Sequence, residues 1–174
     1  CLLDLVFLEE FFSLQAFCMH LGGINAYMAR LPNAITGILW VCLAYIIGWK
    51  VKGNRTGVFL ALLFIGSYLP HFYFKSGIID PVFNFFIVTS LYLFYLASKN
   101  KQTNIALVLI AGTINGLAVI TKGPVAWLVS MTILFIFIIW KSDKVKSDLL
   151  VYGLFFLTSI VVGATWFFTE TKVH

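Results

Sequence analysis

Charge is scarce in this sequence, and acid scarcest of all: 11% of its 174 residues are charged, with 7 Asp and Glu against 12 Lys and Arg. An ordinary soluble domain carries about a quarter of its residues charged, so that class is excluded. Cysteine is nearly missing. Cys1, Cys18 and Cys42 show no CxxC spacing, and Cys42 lies within an apolar run, so they read as inert and exclude a disulfide framework. Barrel-style alternation is absent, which leaves helices as the way to cross a bilayer. The first residues also lack the basic start and small-residue cleavage site of a signal peptide.

Hydrocarbon fills the space: 61% of residues are hydrophobic and the mean hydropathy is +0.98. A bilayer core of roughly 30 Å needs about 20 helical residues, and the sequence offers about six such stretches, near residues 33–49, 57–73, 81–97, 104–120, 125–140 and 149–168. The expected fold is therefore all-α, a polytopic transmembrane helical protein with about six spans plus an N-terminal interfacial or re-entrant segment over 1–21, ended by Gly22-Gly23. Pro32 is expected in the first turn of the first span, with Arg30 just ahead of it. A start at Cys1, with Asp4, Glu9 and Glu10 among Leu and Phe, reads as cut from something longer.

The net charge of +5 does not point to nucleic acid, because the bases sit in short loops with no aromatic-interleaved groove. Lys50-Val51-Lys52-Gly53-Asn54-Arg55, Lys99-Asn100-Lys101 and Lys141-Ser142-Asp143-Lys144-Val145-Lys146 alternate with tips poorer in positive charge. The positive-inside rule puts those loops in the cytoplasm. The Asn54-Arg55-Thr56 sequon is discounted accordingly. Arg30, His71, Lys75, Asp80, Lys122, Glu170 and His174 then fall on the extracytoplasmic side, and ionisable groups gathered at one membrane level signal a functional site.

Two tips stand out: Phe74-Lys75-Ser76-Gly77-Ile78-Ile79-Asp80-Pro81, expected as a polar hairpin tip, and Thr121-Lys122-Gly123-Pro124. Lys75 reads equally as a snorkelling lysine or as a substrate contact. Asp80, just before Pro81, is a helix N-cap, a site carboxylate, or both. Lys122 stands beside a Pro-led helix start whose dipole favours an anion, which suits a phosphate holder; the plainer reading is an interfacial lysine in a turn. His71 reads as a packed histidine. Glu170 and His174 have i, i+4 spacing, but their charged segment reads as a solvated face, so no metal ligand is assigned.

The order Ala29-Arg30-Leu31-Pro32-Asn33-Ala34, then Ile79-Asp80-Pro81, then Gly116-Leu117-Ala118-Val119-Ile120-Thr121-Lys122-Gly123-Pro124 resembles the polyprenyl-phosphate-dependent glycosyltransferases of the aminoarabinose-transferase and protein-mannosyltransferase superfamily, over about residues 14–170. The resemblance implies a GT-C-type glycosyltransferase membrane domain, here partial. Such an enzyme takes sugar from a polyprenyl-phosphate-linked donor to a lipid, glycan or protein acceptor. By that resemblance Lys122 helps hold the donor phosphate, Asp80 supports or orients substrate, and Arg30 serves structure or an anion contact. A divalent metal is compatible with the family.

The family's acidic pair in its first external loop and its later Glu-Lys-Pro element have no match in this sequence. Residues 1–174 are thus expected to be a partial domain, silent alone and lacking an assigned general base. Its expected place is an inner bacterial membrane, with membrane lipid around it and the active face extracytoplasmic. Two other classes stay open: a secondary transporter or flippase, and a non-catalytic membrane assembly subunit whose Ala111, Gly112 and Gly116 pack helices.

Overall fold

Proline and glycine set where the apolar runs start and stop. The computed structural model describes Gln15 and residues 18–20, 22–76, 79–99, 103–140 and 149–173; the side chains of His71, Lys75 and 166–173 lie outside that description. From residue 26 onward, the regular structure among the described residues is seven helices: α1 (Ala26–Lys52), α2 (Asn54–Gly66), α3 (Tyr68–Ser76), α4 (Asp80–Lys99), α5 (Ile105–Lys122), α6 (Val125–Trp140) and α7 (Leu149–Val173). Three of them, α1, α4 and α5, are long and apolar enough to cross a membrane, and the other spans are shorter apolar helices. The interfacial segment expected over 1–21 falls almost wholly outside the described residues. Gln15, 18–20 and Gly22 are helical, and Gly23 breaks the helix with φ +84°.

α1 begins earlier than expected. Asn25 caps it, its side chain accepting from the Met28 N–H at 2.9 Å, so Pro32 lies inside the helix instead of in its first turn. The cap won because Asn25 satisfies a free first-turn amide, while proline costs only the one N–H it lacks. Arg30 and Lys50 stand twenty residues apart on this helix, about 30 Å, the thickness of the hydrocarbon core.

The basic loop expected after α1 shrinks to one residue. Gly53, at φ +91°, donates its N–H to the Trp49 carbonyl and turns the chain directly into α2. The two helices touch backbone to backbone: a Cβ on Gly48 would meet the Gly57 Cα at 2.8 Å, and one on Gly57 the Tyr45 carbonyl at 2.8 Å. The Tyr45 hydroxyl bonds Asn54 Oδ1 at 2.8 Å and closes the hairpin.

The second expected span is broken at Ser67, whose ψ of 129° leaves the helix. A continuous helix would drive the Pro70 ring against the Gly66 carbonyl. Restarting at Tyr68 puts Pro70 in the first turn of α3, where a missing N–H is harmless. The expected hairpin tip also shortens, since Phe74, Lys75 and Ser76 are helical.

The chain divides into two compact units, Cys1–Phe85 and Phe86–His174, the division falling inside α4. In the first, α1 packs on α2 and α3. In the second, α5 packs on α7 and α6, around Phe94, Ala97, Val108, Ala111, Leu134 and Phe155. Phe94 meets Phe155 edge to face and Tyr152 at a tilt, each with centroids 5.1 Å apart. The side chains left outside are apolar, Phe59, Leu62, Leu128 and Phe135 each at least 60% exposed, whereas Asn33, Asn115, Ser130 and Ser159 are buried. That inversion is what a lipid solvent demands.

Candidate functional site

In the first unit Asp80 is the first residue of α4. Ile79 holds the cap position, its carbonyl accepting from the N–H groups of Val82 and Phe83 at 3.1 Å. The N-cap reading of Asp80 is therefore corrected by one position, since Pro81 has no N–H and the first helical bonds reach back to Ile79. A carboxylate in a helix's first turn is still favoured by the macrodipole.

Asp80 lines a pocket of about 280 Å³ together with Asn84 and the rings of Trp40, Phe64, Tyr73 and Phe74. Asp80 and Asn84 are one turn apart and share a face of α4. Trp40 organises the walls. Its indole N–H donates to the Pro81 carbonyl at 3.1 Å, its ring stacks on Phe64 at 5.4 Å, and it meets the edge of Phe85 at 5.9 Å. A Cβ on Gly37 would touch the Phe74 ring at 3.4 Å, so the bare backbone of α1 is what admits α3 so closely. Chemically, the pocket offers aromatic faces for C–H or cationic groups and, from Asp80 and Asn84, acceptors and a donor for hydroxyls.

Arg30 is exposed in the second turn of α1 and is not among the residues lining this pocket. Lys75 and His71 lie on α3, and nothing is described of their side chains.

In the second unit Lys122 is the exposed last residue of α5. Gly123, at φ +74°, stops the helix and returns its N–H to the Val119 carbonyl at 2.7 Å. α6 begins two residues later, but its first amides are already engaged. Ala126 donates to Gly123 at 3.2 Å and Trp127 to Pro124 at 3.0 Å. Anion attraction at this turn therefore rests on the Lys122 ammonium more than on those amides. The same lysine complements the negative end of the α5 dipole.

Beneath the turn lies a polar cluster that the sequence reading missed. Ser130 donates to Asn115 Oδ1 at 2.7 Å, Asn115 donates to Ser159 Oγ at 3.0 Å, and the Trp127 indole donates to the same Ser159 oxygen at 2.9 Å. Asn115, Ser130 and Ser159 are completely buried. The available signal was an asparagine in the middle of an apolar run, which bilayer helices keep only with a partner.

Among the described residues no group of three His, Cys, Asp or Glu is gathered that could hold a metal. The side chains of Glu170 and His174 lie outside the description. The residues described do not form a site for a divalent ion, and no step is routed through one.

These features define a class: an integral membrane protein of apolar helices with polar chemistry confined to helix ends and a few buried bonds. The family model described as dolichyl-phosphate-mannose-protein mannosyltransferase matches residues 17–174, and the chain belongs to that family. It is 26% identical over 154 residues to an uncharacterised protein of Aquifex aeolicus strain VF5, covering 87% of this chain and 30% of that protein. It is 25% identical to undecaprenyl phosphate-alpha-4-amino-4-deoxy-L-arabinose arabinosyl transferase 1 of Pseudomonas fluorescens strain Pf-5, covering 84% of this chain and 27% of the relative. It is 26% identical to the corresponding arabinosyl transferase of Pseudomonas aeruginosa strain LESB58, covering 83% and 27%. The chain thus spans under a third of the length of these curated relatives. No solved structure matches it.

Proposed function

We propose that these residues are part of a glycosyltransferase that draws its sugar from a polyprenyl-phosphate-linked donor and delivers it to a lipid, glycan or protein acceptor at the extracytoplasmic face of a bacterial inner membrane. Family membership over residues 17–174 is the observation that carries this reading. The reaction is a displacement at the anomeric carbon in which the lipid phosphate leaves. It needs a cation where charge develops on phosphate and a carboxylate to take the acceptor proton.

Lys122, exposed at the end of α5, takes the phosphate role. Asp80 and the aromatic pocket around it orient a hydroxylated ring. Arg30 and Lys75 supply additional positive charge toward the same anion. The general base is not assigned, so the 174 residues are expected to bind donor without turning it over.

The test is binding of undecaprenyl monophosphate to the purified chain in nanodiscs, with the neutral polyprenol as control. Lys122→Ala should weaken phosphate binding about tenfold, as expected for losing one charge-assisted contact, and leave polyprenol binding unchanged. Equal phosphate binding by wild type and the folded variant would overturn the assignment.

A further inference from the structure

We infer that the buried chain Ser130–Asn115–Ser159–Trp127 is a positioning network that sets how Lys122 is presented to an anion; this rests on the phosphate role proposed for that lysine.

The Thr121-Lys122-Gly123-Pro124 turn has two flanks, the last turns of α5 and the first turn of α6, and both are tied to α7. On the α5 side the tie is steric. A Cβ on Gly116 would meet Val162 Cβ at 2.6 Å, and one on Gly163 would meet Val119 Cγ1 at 3.2 Å, so the helices approach as only glycine permits. On the α6 side the tie is a single side chain. Among the described residues the backbones of α6 and α7 do not pack against each other, and the Trp127 indole crosses the gap. Its N–H reaches Ser159 Oγ at 2.9 Å, and its ring would lie 3.6 Å from a Cβ on Gly163.

Ser159 Oγ thus accepts from both flanks, from Asn115 on α5 and Trp127 on α6, which uses both of its lone pairs. Ser130, one turn further along α6, fixes the Asn115 amide by donating to its oxygen and so sets which end of that amide faces Ser159. Trp127 is five residues from Lys122 and Asn115 seven, and the turn between them is closed by the Gly123 and Ala126 bonds. Releasing Trp127 would let α6 tilt, and the lysine would sample orientations that do not meet the phosphate. Interhelical glue alone would have no reason to affect Lys122.

The experiment is a double-mutant cycle on undecaprenyl monophosphate binding by the full 174-residue chain in nanodiscs, comparing wild type, Lys122→Ala, Trp127→Phe and the double variant. Helix content is followed by circular dichroism. Trp127→Phe keeps the ring and removes the donor. The expected result is a loss of about three- to tenfold with unchanged helicity, and a double variant no weaker than Lys122→Ala, the non-additivity that marks coupled residues. Additive losses, or full binding by Trp127→Phe, would overturn the network's role while leaving the phosphate assignment standing. Full binding by Lys122→Ala would overturn that assignment, and this inference with it. Should Trp127→Phe fail to fold, Ser130→Ala replaces it in the same cycle, with a smaller loss expected and the same non-additivity required.

Discussion

The two units are held together by different chemistry. In the first, aromatic rings and one indole bond frame an open pocket with a carboxylate on its wall, while the tightest contact, Gly48 against Gly57, lies near the α1–α2 turn. In the second, glycines bring α5 against α7 and a chain of buried hydrogen bonds runs through three helices. Stacked rings tolerate sliding, because dispersion is non-directional. Buried hydrogen bonds do not, because an orphaned donor has nowhere to turn in a dry interior. The first unit is therefore suited to admit a ligand, and the second to hold a turn still.

The sharpest way to break this comparison is to fill the glycine contact of the second unit. Gly116→Leu should destabilise the chain by about 3 kcal/mol in a thermal melt, since Val162 Cβ and the Ser159 carbonyl already stand 2.6 and 3.0 Å from an added Cβ. Gly153→Ala is its control: an added Cβ there meets nothing within 4 Å, so the melt should hold or rise slightly, by about 0.5 kcal/mol from helix propensity.

Asn115→Leu comes next, with an expected loss of about 1–2 kcal/mol, because Ser130 and Ser159 lose their shared partner. If the loss is indistinguishable from zero, the contrast between a bonded and a stacked unit fails. In the first unit Trp40→Phe should cost about 1 kcal/mol for the bond to Pro81. Hydrogen exchange at Val82 and Phe83 would report whether the start of α4 loosens as expected. The smallest effect belongs to Asp80→Asn, about 0.5 kcal/mol from the lost first-turn charge, read in the same melt. A much larger value would mean that the carboxylate carries structure more than ligand.

Much of this architecture was legible in the chain. Apolar runs of near-bilayer length, the tryptophan and lysine at Trp49-Lys50, and the Gly-Pro stop after Lys122 place helices without reference to neighbours. The small residues at Ala111, Gly112 and Gly116 were read as packing residues, and they are buried at the α5–α7 contact. What escaped had a shared cause. The break at Ser67 and the early start of α1 at Asn25 depend on which of two local preferences prevails, proline's or the cap's. Asn115 looked inert because its partners lie 15 and 44 residues away.

Composition by itself determined the solvent of this protein and hence its class, because a chain with so few charges and so much hydrocarbon can satisfy its backbone in lipid only as helices. The family followed from short motifs in order. Only the tertiary structure decided that Asp80 opens on an aromatic pocket held by Trp40 and that the Lys122 turn stands over a buried hydrogen-bonded chain. Those facts rest on contacts between residues far apart in sequence, and such contacts are set by how helix faces meet.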